Sequence, residues 1–259
     1  MTRRAEWAAL STRLSGALRP VAEPIGIAFL ARGEASPVPD LAAPRPAPNA
    51  AGRTGSVPAG CVFWVQALAG PLSTRAEDHA NCSVGSYTHG FLSLAEAAAQ
   101  DDVAAVLESG WVDPAALAAL PHVAEKPQRV VYAPLVDMPA DPDVVLLRVS
   151  GLGLMTLVDA IPALRIEGKP QCHIIAIARE RGEPAASVGC ALSRARTGMK
   201  AEEMTCALPA ARLGELVAAI EAAAELDRAM ARYASADARR FSWPAPAGGP
   251  ARDATPRSR

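Results

Sequence analysis

Two β-branched runs, RVVYAPL (129–135) and DVVLLRVS (143–150), set the first limit on how this chain can fold. Valine and tyrosine suit a pleated, half-buried surface, so both runs read as strands. The polar, proline-marked VDMPADP between them reads as a turn region. PIGIAFLAR (24–32) predicts a third, short buried strand, and ASVGCA (186–191) and EEMTCALP (202–209) predict two more. Around these lie helical patterns. Trp7, Leu10, Leu14 and Leu18 recur at helical spacing over residues 3–19, and AGCVFWVQALAG (59–70) is apolar and closes on glycine. GFLSLAEAAAQDDVAAVLESG (90–110) and DPAALAALPHV (113–123) are helical by composition, and 210–234 carries Leu213, Leu216, Val217, Ile220, Ala224 and Leu226 mostly on one face. The sequence therefore predicts an α/β fold, with α+β as the alternative: one domain, with helices on a small sheet of about four to five strands.

The expected division is an N-terminal helix over 1–23, a single domain over 24–240, and a tail over 241–259 whose composition predicts disorder. Within the domain, residues 33–58 are rich in Pro, Ala and Gly with little to bury, and predict a long mobile loop. With 50% hydrophobic residues in 259, the chain can bury a substantial core. The formal net charge of −1 argues against a nucleic-acid surface, which needs a basic excess. No run reaches the ~18 apolar residues of a membrane span, and no leader-like apolar region follows the basic start. A cytoplasmic protein with reduced thiols is expected, so Cys61, Cys82, Cys172, Cys190 and Cys206 predict no disulfide framework.

The densest chemistry lies in EDHANCSVGSYTHG (77–90), which reads as a glycine-bearing turn into a helix. A helix start and a neighbouring imidazolium both stabilise a thiolate, which makes Cys82 with His79 a candidate nucleophile and base. His79 as a capping residue, His89 ten positions on, His173 as a core group and His122 as a loop residue are the plainer readings. Arg194 and Arg196 follow Cys190 and could hold a carboxylate or phosphate, or simply face solvent. Asp141 and Asp143 flank a proline and read as turn residues. SGLGLM lacks the third glycine of a dinucleotide fingerprint, with Thr156 in its place. There is also an internal echo. Cys61 opens an apolar segment closing at Gly70 and is followed by Cys82; Cys172 opens another closing at Gly182 and is followed by Cys190. In a chain so rich in alanine, the echo reads as chance.

CVFWVQALAGPLSTRAEDHANCSVGSYTHGF, VVYAPLVDMPADPDVVLL and QCHIIAIARERGEPAASVGCALSRARTGMKAEEMTCALP together resemble the domain-of-unknown-function 169 family of bacterial and archaeal proteins, over roughly 24–226. The landmarks are Cys61, Ala67 with Gly70, Thr74, Asp78, His79, Cys82, Gly85, Pro134, Pro142, Asp143, Cys172, Gly189, Cys190, Arg194 and Gly198. The chain departs from the pattern at SGLGLMTLVDAI, where a polar stretch is usual, and at Leu192, where a second glycine is usual. The resemblance implies family membership and no established chemistry. Four of the five cysteines fall on landmarks and Cys206 does not. Four thiolates can close the shell of an iron–sulfur cluster or a zinc ion, so Cys61, Cys82, Cys172 and Cys190 are the expected ligands, with Gly85 and Arg194 beside the cofactor. The functional expectation is a cysteine-ligated cofactor protein with a redox or sensing role, acting with an unknown small molecule or redox partner. The alternatives are an enzyme using Cys82 with His79, and a non-catalytic binding module whose cysteines only fill the core.

Overall fold

A computed structural model of the protein describes residues 3–41 and 59–240. The expected tail over 241–259, and the expected loop from residue 42 on, lie outside the described residues. In chain order the elements are α1 (Arg3–Leu18), β1 (Ile25–Leu30), α2 (Ala59–Gln66), β2 (Leu72–Thr74), α3 (Ser83–Thr88), α4 (Leu94–Ala98), α5 (Asp101–Glu108), α6 (Pro114–Ala118), β3 (Arg129–Pro134), β4 (Val144–Val149), α7 (Gly151–Ala160), β5 (Arg165–Glu167), α8 (His173–Arg181), β6 (Ala185–Ser187), α9 (Ala191–Thr197), β7 (Met204–Pro209) and α10 (Leu213–Arg240). Among the described residues the strands form one sheet of seven in the order β2-β3-β1-β4-β7-β6-β5, all neighbours antiparallel except β5 with β6. The α/β expectation holds at this level; the count of four to five strands is corrected to seven. The two missed strands, β2 and β5, lie at the sheet edges and have three residues each. Three residues are too few for a period-two pattern to register.

The sheet is covered on both faces. Along β4, Val144 and Leu146 face a core with α2 and α8, while Val145, Leu147 and Val149 face a second core with α1, α7 and α10. That is the two-residue alternation of a strand, with both faces apolar because both are buried. The expected amphipathic helices account for the second core: Leu10, Leu14 and Leu18 of α1 meet Leu213, Leu216, Val217 and Ile220 of α10.

Six of the seven strands form two equivalent halves, with β5 and α7 added to the second. In the first, β1-α2-β2-α3-β3 places its strands, from the centre outward, as first, third, second; β4-α8-β6-α9-β7 does the same. The registers also match. Ile25 pairs with Pro134 as Val144 pairs with Pro209. Leu72 pairs with Tyr132 as Ala185 pairs with Ala207. Even the closing bonds repeat, Leu135 N donating to Pro24 O (2.8 Å) and Ala210 N to Asp143 O (3.0 Å). At the centre, the equivalent residues Gly26 and Val145 face each other across an antiparallel pair, so a local twofold passes between them. The cysteine echo is therefore part of a structural repeat, and reading it as chance is corrected. Side-chain sequence has diverged between the halves, whereas the backbone hydrogen-bond pattern has not.

Candidate functional site

On the α2/α8 face the two halves enclose a cavity of about 280 Å³, and Cys61, Cys82, Cys172 and Cys190 all line it. Each half contributes one cysteine at the start of its first helix, Cys61 in α2 and Cys172 just before α8. Each also contributes one at the N-cap of its second, Cys82 before α3 and Cys190 before α9. Both N-cap cysteines are extended (φ −147° and −138°) and neither caps its helix through the sulfur, so the side chains are left for the cavity. The twofold brings α2 beside α9 and α3 beside α8, so each cysteine of one half meets the other half. Cys206 lies elsewhere. In β7 its neighbour Ala207 faces the α2/α8 core, so Cys206 points into the opposite core with α10.

Cys61, Cys172 and Cys190 are buried and Cys82 is partly exposed. Burial pushes the Cys61 thiol up to about 11, against a smaller downward pull from the Ser193 hydroxyl beside it. Burial likewise pushes Cys172 well above the ordinary thiol range, with the Thr88 hydroxyl partly opposing. At neutral pH these two sulfurs are protonated, and a cation bound there must displace the protons.

The Glu77–Gly90 stretch divides its residues between the cavity and the core. A 3-10 turn at Ala76–His79 is tied by the Asp78 carboxylate, which accepts from Arg75 N at 2.8 Å. Asp102 of α5 accepts from Ser83 N and Oγ (2.8 and 2.7 Å) and so anchors α3. Cys82 and Gly85 then line the cavity. His79 does not line it. Its ring is fully buried, tilted against Phe63 and Phe91 at centroid distances of 4.9 and 4.6 Å, with Nε2 3.0 Å from Thr74 Oγ1. Because Thr74 donates its own hydrogen to Val130 O, His79 Nε2 must donate to it, leaving Nδ1 bare. His89, 5.6 Å away, turns Nδ1 to Gly85 O (2.9 Å) and leaves Nε2 bare and buried. α2 crosses here through Gly60, where a Cβ would stand 2.6 Å from His89 Nε2.

Burial holds both imidazoles neutral: His79 is pushed well below the ordinary value and His89 down to about 4. The unfolded chain takes up these protons near pH 6.5 and the folded chain does not, so stability is complete above 6.5 and falls as pH drops towards 4. His89 alone is expected to cost about 3 kcal/mol across that window. Urea melts at pH 7 and pH 5 should show the loss, and His89→Asn, which keeps a donor towards Gly85, should flatten it.

Arg194 is also placed away from the cavity. Its guanidinium donates to the carbonyls of Val188 (3.0 Å), Glu203 (2.7 Å) and Lys200. It lies over Gly189, whose φ of +116° and missing Cβ make the close approach feasible: a Cβ would sit 2.8 Å from Nη2. This explains the Gly-Cys-Arg landmark as a clip that fixes the loop bearing Cys190. The arginine on the cavity wall is Arg196. Sequence reasoning missed two further wall residues. Gln171 is 1% exposed, its Nε2 bound to Ser193 Oγ and Met199 Sδ, its Oε1 without a partner. Trp111 closes the outer side, with Lys169 Nζ 4.4 Å over its ring. No sequence signal marks either residue beyond the position of Gln171 directly before Cys172.

Among the described residues no three His, Cys, Asp or Glu side chains stand together as a set for a single metal ion, and no helix is long and apolar enough to cross a membrane. A tetrahedral zinc would draw four sulfurs to ~3.8 Å of one another, from bonds of about 2.3 Å. Cys61, Cys82, Cys172 and Cys190 line a space of about 280 Å³, large enough for a multi-atom group. A family model described as "Uncharacterised ArCR", for domain of unknown function 169, matches residues 13–219. No curated protein and no solved structure matches the chain.

Proposed function

The chain belongs to the domain-of-unknown-function 169 family, and from the geometry of its cavity we propose that it is a cofactor protein. It holds an iron–sulfur cluster between its two halves and uses it for electron transfer or redox sensing. One observation carries this reading: four of five cysteines, two from each half of a structural repeat, converge on one cavity, while the fifth sits across the sheet. Cysteines serving only as small apolar filler have no reason to sort in this way.

Cys61, Cys82, Cys172 and Cys190 would hold the group, and soft thiolates are the donors such a cluster or a zinc ion takes. Four sulfurs spread around a cavity suit a cluster better than a single ion. When bound, a cluster supplies one-electron chemistry. The chain's own residues exclude water through the burial of Cys61, Cys172 and Cys190, and Ser193 and Thr88 set their hydroxyls beside two of the sulfurs. Arg196 offsets part of the accumulated negative charge. A cytoplasmic setting, where thiols stay reduced, suits this use. An enzyme acting through Cys82 would need a base other than His79, since no histidine lines the cavity.

The test is anaerobic purification with a visible spectrum and assays of iron, zinc and acid-labile sulfide. A brown protein with iron and sulfide in matching amounts is expected. Zinc without sulfide would replace the cluster with a metal site, and a colourless protein that stays metal-free after reconstitution with iron and sulfide would overturn the proposal.

A further inference from the structure

The two halves match in three strands and two cysteines each; beside α7 and β5, which stand in the second half alone, they differ in what stands between α3 and β3. Residues 89–128 there, carrying α4, α5 and α6, have no counterpart between α9 and β7, which only residues 198–203 join. This extra segment builds one side of the cavity. Val106, Trp111, Leu117 and Leu120 give it an apolar wall. A group held by two equivalent cysteine pairs has no need of a wall present in one half only.

Asp102, Gln171, Ser193 and Arg196 break the apolar lining. Gln171 is 1% exposed and leaves Oε1 without a partner, while Nε2 is already committed to Ser193 and Met199. A buried acceptor left open in this way costs stability unless something donates to it. Arg196 stands on the same wall and makes no ion pair among the described residues, and Lys169 lies over Trp111 at the outer side. The wall's acidic residue, Asp102, holds the start of α3. The cavity thus offers an apolar surface, one buried acceptor and positive charge.

We infer that the cavity also receives a small organic acid with an apolar body, its carboxylate meeting Arg196 and a hydroxyl or amide donor meeting Gln171 Oε1. This rests on the reading of the cavity as the functional site and not on the identity of the cofactor. Planar guanidinium pairs with carboxylate, the apolar wall takes the body, and the donor satisfies the amide oxygen. The acid then lies in the chamber that the four cysteines line.

Calorimetric titration of the full chain with 4-hydroxybenzoate, benzoate and benzyl alcohol tests this, both as isolated without oxygen and after removal of metal by a chelator. The expected order of affinity is 4-hydroxybenzoate, then benzoate, then benzyl alcohol. Arg196→Gln, at a half-exposed position, should weaken benzoate about tenfold and leave benzyl alcohol unchanged. Gln171→Leu should remove the advantage of the hydroxyl. Absence of binding by all three up to about 10 mM, or equal benzoate affinity in Arg196→Gln, overturns the inference. A protein that stays metal-free after reconstitution with iron and sulfide yet binds 4-hydroxybenzoate would end the cofactor proposal alone; a cluster-bearing protein that ignores all three probes would end this one alone.

Discussion

Anaerobically prepared Cys206→Ala protein is expected to keep its full iron content, while alanine at Cys61, Cys82, Cys172 or Cys190 lowers it at least tenfold. Even changes beyond the direct ligands of a metal cost roughly ten- to a hundredfold in affinity, so loss of a ligand should cost no less. Cys206 is the control that gives the experiment its meaning. It is fully buried, as deeply as any of the other four, so its removal tests whether burial of a thiol, rather than cavity position, is what retains iron. Thermal melts run beside the iron assay separate the two effects. If Cys206→Ala loses as much iron as Cys172→Ala in step with stability, the cysteines are packing residues and the cofactor proposal fails. If the four cavity variants stay folded and lose iron while Cys206→Ala keeps it, the ligand set is fixed.

The second large effect is structural. Arg148 on β4 and Glu203, just before β7, form an ion pair with side chains only 13% and 3% exposed. It sits beside the β4–β7 pairing within the second half, in which Arg148 faces Thr205. Glu203→Ala leaves a guanidinium buried without its anion, and a loss of about 3–5 kcal/mol is expected, read from urea melts. Replacing both residues together, Arg148→Met with Glu203→Leu, should recover most of that loss, because neither charge then needs solvation. A single substitution costing under about 1 kcal/mol would mean that water reaches the pair and solvates the survivor.

Both expectations depend on how local patterns were assembled. The strands at 129–134 and 144–149 were legible because β-branched runs of that length have few alternatives. β2 and β5 were not, since three residues at a sheet edge carry no periodicity. α1 and α10 were legible from one-sided leucines, because a helix with a single apolar stripe records its burial in its spacing. His79 was misleading for a related reason. Polar neighbours in sequence suggested an exposed catalytic group, whereas the chain turns its ring against Phe63 and Phe91 and only its backbone stays with Cys82.

The sequence by itself determined the fold class, the principal strands and helices, and which four cysteines fall on the family landmarks, because pattern and landmark are properties of nearby residues. Only the tertiary structure decided that those four share a cavity, that Arg196 rather than Arg194 reaches it, and that the cysteine echo is a repeat. Cys61 and Cys190 are separated by most of the domain in sequence, and what unites them is a twofold between antiparallel strands. Cys206 shows the same logic in small. One step along β7 separates it from Ala207 on the cavity side, and strand parity sends its sulfur into the other core.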